Sequence, residues 1–211
     1  MQVFLGSTRD TKFVATMSRN LWGECFVAGG KVRSPRVFPC MVDNGAYGAW
    51  RSGNEWNGDR FIRSLESIGT LLHFVVAPDI VAGGNDSLGH SIRWHARVKP
   101  FGPVYLAVQD GMNVNDIIRH AETGAWAGLF VGGTKAWKWR TARQWCRIAR
   151  SNGMGCHIGR AATPRGMRVA WEIGATSIDG NQPLWSRRHM AVFERAYNHL
   201  GCQQYMEAAH G

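Results

Sequence analysis

Val104-Tyr-Leu-Ala-Val-Gln109-Asp-Gly is a strand-forming apolar run that stops on an amide, and Asn113-Val-Asn115-Asp-Ile-Ile-Arg-His-Ala121 follows one residue later. The second segment sets amide caps ahead of apolar residues at helical spacing, and Gly124 stands where such a helix would stop. Gly128-Leu-Phe-Val131 then reads as a strand again and ends on the pair Gly132-Gly133. Strand, short helix, strand is the sequence form of a βαβ unit. Its two strands lie parallel because the helix carries the chain back across the sheet.

The same rhythm runs outward in both directions. Further strands are expected at Val3-Phe4-Leu5 and at residues 38–43, 73–77, 155–158 and 175–178, with helices over 9–21, 59–68, 87–98, 114–123, 141–152, 164–173 and 188–199. Thr163-Pro164 places a cap and a first-turn proline in the right order, and Gly153 follows its helix as a stop. Seven strand candidates in this rhythm favour an α/β fold, a compact (β/α)8 TIM-type barrel with one strand short, irregular or missing, over an open doubly wound sheet. The Gly-rich dinucleotide fingerprint and the GxxxxGK[ST] phosphate loop are both absent.

A chain of 211 residues with 45% apolar content is expected to form one domain with a sizeable core. No stretch approaches the roughly 20 apolar residues of a membrane helix. The opening residues Met1 to Arg9 lack the basic-then-apolar order of a signal peptide. Cys25, Cys40, Cys146, Cys156 and Cys202 form an odd, scattered set without CxxC spacing, which fits reduced thiols in a cytoplasmic setting and no zinc site. Lys and Arg total 25 against 15 acids, a net charge of +10, and such a field favours a polyanionic partner such as nucleic acid.

Five strand candidates end on polar groups or glycines: Asp43-Asn-Gly, Pro78-Asp79, Gln109-Asp-Gly, Gly132-Gly133 and Asp179-Gly. On a parallel barrel those ends open on one face, so these residues are expected to converge. Two carboxylates flanking a glycosidic bond can divide labour, one attacking or stabilising the anomeric carbon and the other protonating the leaving group. A third acid and an amide can read a purine edge, and paired glycines let backbone N–H groups approach a base oxygen. Each element also has a plain structural reading as a turn, a cap or a satisfied polar residue.

The ordered series DNGAY, APD, VQDG, FVGG, HIGRAATP and SIDGN resembles the queuine/archaeosine tRNA-guanine transglycosylase family over residues 38 to 182. Asn44, Ala46, Asp110 and Gly180 depart from its usual residues, and its C-terminal zinc cluster is missing. A small zinc-free chain looks more like the phage-type and bacterial enzymes that exchange guanine in DNA for a 7-deazaguanine. The resemblance implies that Asp179 is a nucleophile at C1′ and Asp43 the general acid/base. It makes Asp79 and Gln109 base-edge readers, with Gly132 and Gly133 as backbone donors and Tyr47 as the stacking aromatic. Either His157 or Ile158 would cover the opposite face of the base, and Asn44, Ala46 or Gly180 would contact the 7-substituent. The implied partners are single-stranded or locally opened DNA and a free 7-deazaguanine base (preQ0-like), with no metal or other cofactor. tRNA as the polymer, and a non-catalytic nucleic-acid-binding barrel, are the alternatives.

After the glycine pair, Thr134-Lys135-Ala-Trp137-Lys138-Trp139-Arg140-Thr-Ala-Arg143-Gln-Trp145 interleaves cations with aromatics, a combination suited to unpaired strands. Lys135, Lys138, Arg140 and Arg143, joined by Arg160, Arg165, Arg168, Arg187 and Arg188, form the expected nucleic-acid track. Trp145 and Ile148 at helical spacing are expected in the core. His90 and His95 read as solvated or core residues rather than catalytic ones.

Overall fold

In a computed structural model, which describes residues 1–30, 38–69 and 72–210 with the side chains of 202–210 excepted, eight parallel strands close into a barrel. The strands are β1 (Gln2–Gly6), β2 (Gly23–Val27), β3 (Cys40–Asp43), β4 (Leu72–Val76), β5 (Val104–Val108), β6 (Gly128–Val131), β7 (Gly155–Ile158) and β8 (Ser177–Gly180), each paired with its neighbours in chain order. The outer layer holds α1 (Thr11–Arg19), α2 (Ala46–Arg51), α3 (Gly58–Ile68), α4 (Gly84–Val98), α5 (Val114–Glu122), α6 (Lys135–Ser151), α7 (Pro164–Glu172) and α8 (Arg187–His210). The strand absent from the sequence reading is β2. The irregularity that was expected sits between β3 and β4, where the register shifts at Cys40 and Met41.

Capping follows the sequence. Asp10, Asn57, Asn113, Thr134 and Thr163 each accept a backbone N–H from the first turn of the helix they precede, and each has extended backbone. Thr134 starts α6 at Lys135, six residues ahead of the expected position, so the whole basic and aromatic stretch is helical.

Alternate residues of the strands divide two cores. Phe4, Met41, Phe74, Val76, Tyr105 and Ala107 fill the barrel interior, with Cys25 and Phe130 against them. Val3, Leu5, Val42, Val75, Leu106, Leu129 and Ile158 point outward into a larger cluster beneath the helices. Phe74 and Tyr105 stack with centroids 4.0 Å apart. Room for these rings comes from glycines at strand starts: a Cβ on Gly128 or Gly155 would overlap Tyr105, and one on Gly23 would overlap Phe4. A Gly128→Ala substitution is therefore expected to cost about 1–3 kcal/mol, read as a lowered denaturant midpoint. A Tyr105→Leu background should relieve most of that loss.

No disulfide joins the described cysteines, and the side chain of Cys202 lies outside the described residues. Among the described residues no helix is long and apolar enough to cross a membrane.

Candidate functional site

The C-terminal ends of β3 to β8 open onto one cavity of about 590 Å3. Its lining includes Asp43, Asn44, Tyr47, Asp79, Gln109, Gly132, Gly133, Lys135, Lys138, Arg160 and Asp179, together with Trp50, Asp110 and Thr134. Eleven of the residues singled out in the sequence thus meet at one mouth, although they come from six strand ends.

Of the four carboxylates that line this cavity, Asp43, Asp79 and Asp179 stand in three different settings. Asp179 is tied on one side only: its Oδ1 accepts the Arg160 N–H at 2.8 Å and lies 3.0 Å from His157 Nε2, while no described donor claims Oδ2. Its backbone carbonyl accepts the Ala161 and Ala162 N–H groups at 2.7 and 2.8 Å, so the loop after β7 clamps it above and below. Asp43 ends β3, and its Oδ1 accepts the N–H of Gly45, whose left-handed backbone turns the chain into α2. Burial pushes the Asp43 carboxyl up to about 6, aided by Asp179 and Asp79 and opposed by the Gly45 N–H and Arg160. Asp79 is held on both oxygens, by Asn44 Nδ2 at 2.8 Å and Gln109 Nε2 at 3.3 Å; burial raises it and the Asn44 hydrogen bond opposes that rise.

The expected base-reading set divides. Gln109 is buried, and its amide donates to Ile80 O and Ser87 Oγ at 2.8 Å while its oxygen accepts the Ala82 N–H. With Asp79 Oδ2 at 3.3 Å, three protein acceptors share its two amide hydrogens, so Gln109 orders the loop after β4 instead of presenting a free donor to the cavity. Asn44 is buried too: it donates to Ala77 O and Asp79 and accepts the Ala46 N–H. Gly132 spends its N–H on Val108 O at 2.9 Å, which leaves Gly133 as the donor of the pair. Asp110, marked in the sequence only as a departure from the family pattern, accepts both the N–H and the hydroxyl of Thr134 and so fixes the start of α6 against β5.

Neither His157 nor Ile158 lines the cavity, so neither covers the face of a base there, and strand alternation sends them to opposite sides. Ile158 points outward into the helical core. His157 points into the barrel, fully buried, and stacks on Phe130 with centroids 5.0 Å apart. Its Nδ1 lies 2.8 Å from Ser177 Oγ and its Nε2 reaches Asp179, so it braces the carboxylate from below and does not line the cavity.

The expected track also separates. Lys138 is buried, and its ammonium donates to the carbonyl of Gly159, so it belongs to the cavity wall and not to an exposed track. Arg160 reaches across the mouth, donating to Gly133 O at 2.9 Å with its guanidinium 4.6 Å over the Tyr47 ring. Lys135, Arg165, Arg187 and Arg188 are exposed in the first turns of α6, α7 and α8, the ends that face the mouth. Arg140 and Arg143 lie further down α6 and line a separate groove with Arg147, Trp139 and Val169. Trp145 is buried and Trp137 and Trp139 are partly so; among the described residues the exposed aromatics are instead Tyr47 and Trp50 on the cavity rim and Trp185 after β8. Trp50 follows Tyr47 by one helical turn, a spacing that could have flagged it. His95 bonds to Ala125 O, His90 packs on Trp56, and neither lines the cavity.

Among the described residues no group of three or more His, Cys, Asp or Glu side chains is arranged to hold a metal ion. No protein-family model matches the chain, and no curated protein matches it.

Proposed function

We propose that the protein is a guanine transglycosylase that exchanges guanine in DNA for a 7-deazaguanine through a covalent glycosyl-Asp179 intermediate. One observation carries the reading: three carboxylates in unlike settings line one cavity large enough for a nucleoside. Asp179 offers an unclaimed oxygen, Asp43 holds its proton toward neutral pH, and Asp79 is fixed by two amides. Environments that separate carboxyl groups in this way assign acid and nucleophile roles.

The chemistry balances without a further reactant. Asp179 Oδ2 attacks C1′ as the glycosidic bond breaks; the bonding pair leaves on the base nitrogen, and the Asp43 carboxyl supplies the proton. An incoming deazaguanine then gives its proton to the Asp43 carboxylate and attacks C1′, and the C1′–Oδ2 bond returns its electron pair to Asp179. Two displacements at one carbon retain configuration and keep the strand intact. Each Asp79 oxygen keeps a lone-pair site for base N–H groups, Gly133 N–H can face a base oxygen, and Tyr47 and Trp50 provide aromatic faces at the rim. A base must leave the stack to enter such a cavity, which favours unpaired DNA.

The test offers the purified protein DNA and tRNA separately, with labelled guanine and then with deazaguanines bearing nitrile, amide or amine substituents. Each polymer is digested to nucleosides for mass spectrometry. Deazaguanine in the deoxynucleoside fraction is the expected result. Incorporation into tRNA alone would move the substrate to RNA, and failure to release guanine from either polymer would leave only a binding role.

A further inference from the structure

We infer that the cavity wall formed by Lys135, Lys138 and Arg160 is a phosphate subsite, seating a phosphate attached to the nucleoside whose base enters the cavity. The choice of nucleoside rests on the base-exchange reading; the phosphate rests on the wall itself.

Lys138 carries the argument. It is 3% exposed and lines the cavity, yet its only described hydrogen-bond partner is the uncharged Gly159 carbonyl. An ammonium has three hydrogens to place, and a buried one without a counter-ion is costly. Arg160 beside it is likewise engaged by a carbonyl and an aromatic face, at Gly133 O and Tyr47. Lys135 lies one turn before Lys138 on α6, at the cavity edge. Among the described residues no carboxylate oxygen comes within 4.0 Å of the charged side-chain nitrogens of any of the three. Burial, and then Arg160, lower the Lys138 ammonium to about 8; Asp179 pulls the other way and Lys135 adds to the lowering.

Three cations crowded on one wall are relieved by an anion, and the shape of the site says which kind. Asp43, Asp79 and Asp179 occupy the same cavity, so an anionic base or a carboxylate placed among them would be repelled. A ligand with a neutral base and an attached phosphate meets both sides: its base faces the acids, and its phosphate faces the cations. Two sources share this chemistry, a phosphodiester within a polynucleotide and the terminal phosphate of a mononucleotide.

Calorimetric titration of the whole protein with deoxyguanosine, 5′-deoxyguanylate and the dinucleotide thymidylyl-deoxyguanosine separates them. The expected result is at least about tenfold tighter binding of both phosphate-bearing ligands than of deoxyguanosine, about 1.4 kcal/mol. Lys138→Met should remove that advantage, and Lys135→Ala, at an exposed position, should reduce it without affecting the fold. Tighter binding of deoxyguanylate alone would keep the subsite but make its ligand a mononucleotide, and would count against exchange on a polymer. Equal affinity of the unsubstituted protein for all three ligands would overturn the subsite, whatever the exchange assay shows.

Discussion

Replacing Asp179 with asparagine is expected to lower base exchange by about 10^4-fold or more, the scale of losing a covalent nucleophile. Stability should stay within about 1 kcal/mol of the parent. The two effects separate because the substitution keeps the contacts and removes the chemistry. An amide oxygen can still accept the Arg160 N–H that now lies 2.8 Å from Oδ1, and the backbone carbonyl still takes the Ala161 and Ala162 N–H groups. What disappears is the anionic oxygen proposed to attack C1′. Three readouts follow: labelled guanine released from DNA, a protein–DNA adduct on a denaturing gel, and DNA affinity. The first two should vanish while the third stays. Retained exchange in the Asp179→Asn variant would end the proposed route outright.

His157 gives the same site a graded control. It touches Asp179 from inside the barrel, with Ser177 on its other nitrogen and Phe130 against its face. As a positioning residue, its replacement by glutamine should slow exchange by about ten- to a hundredfold, the usual cost of a displaced reacting group. It should leave KM for the incoming base near the parent's value, because the imidazole does not line the cavity.

The barrel was legible because parallel strands and capped helices write periodic signals along the chain. Val104 to Gly133 alone contains two strands, an Asn113 cap and a glycine stop. β2 escaped for a physical reason: Gly23-Glu-Cys-Phe-Val27 is short and opens on a glycine needed to clear Phe4. It also buries Glu24, which bonds to Ser7, so it shows neither alternation nor a purely apolar run. The site residues were legible as types at strand ends, since a barrel collects those ends whatever loops intervene. Their division of labour was not. That Gln109 is consumed by Ile80, Ala82 and Ser87 depends on contacts 22 to 29 residues away, which no local pattern records. Lys138 shows the same limit: read along the chain it belongs to a run of surface cations, but the helix that starts at Thr134 turns it inward under the mouth.

Asp43→Asn is expected to cost activity and add stability, a pairing that a merely structural aspartate would not give. The native carboxyl titrates near 6, above its ordinary value of 3.8. Between those two values the folded protein holds a proton that the unfolded chain has released, so stability falls as pH rises through that window. Above about pH 6 the full penalty of a buried carboxylate near Asp179 and Asp79 is present; below about pH 4 there is none. Asparagine carries no such penalty and can still accept the Gly45 N–H, so the variant should gain stability at pH 7, by at most about 3 kcal/mol. The gain should shrink to nothing as the pH approaches 4, which denaturant titrations at several pH values would show. Activity should move the opposite way. If Asp43 protonates departing guanine, kcat/KM of the parent protein falls about tenfold per pH unit above about 6. The variant should retain only a small, pH-independent residue of exchange. A variant that is destabilised at pH 7, or that keeps the parent's pH profile, would place the acid on another group.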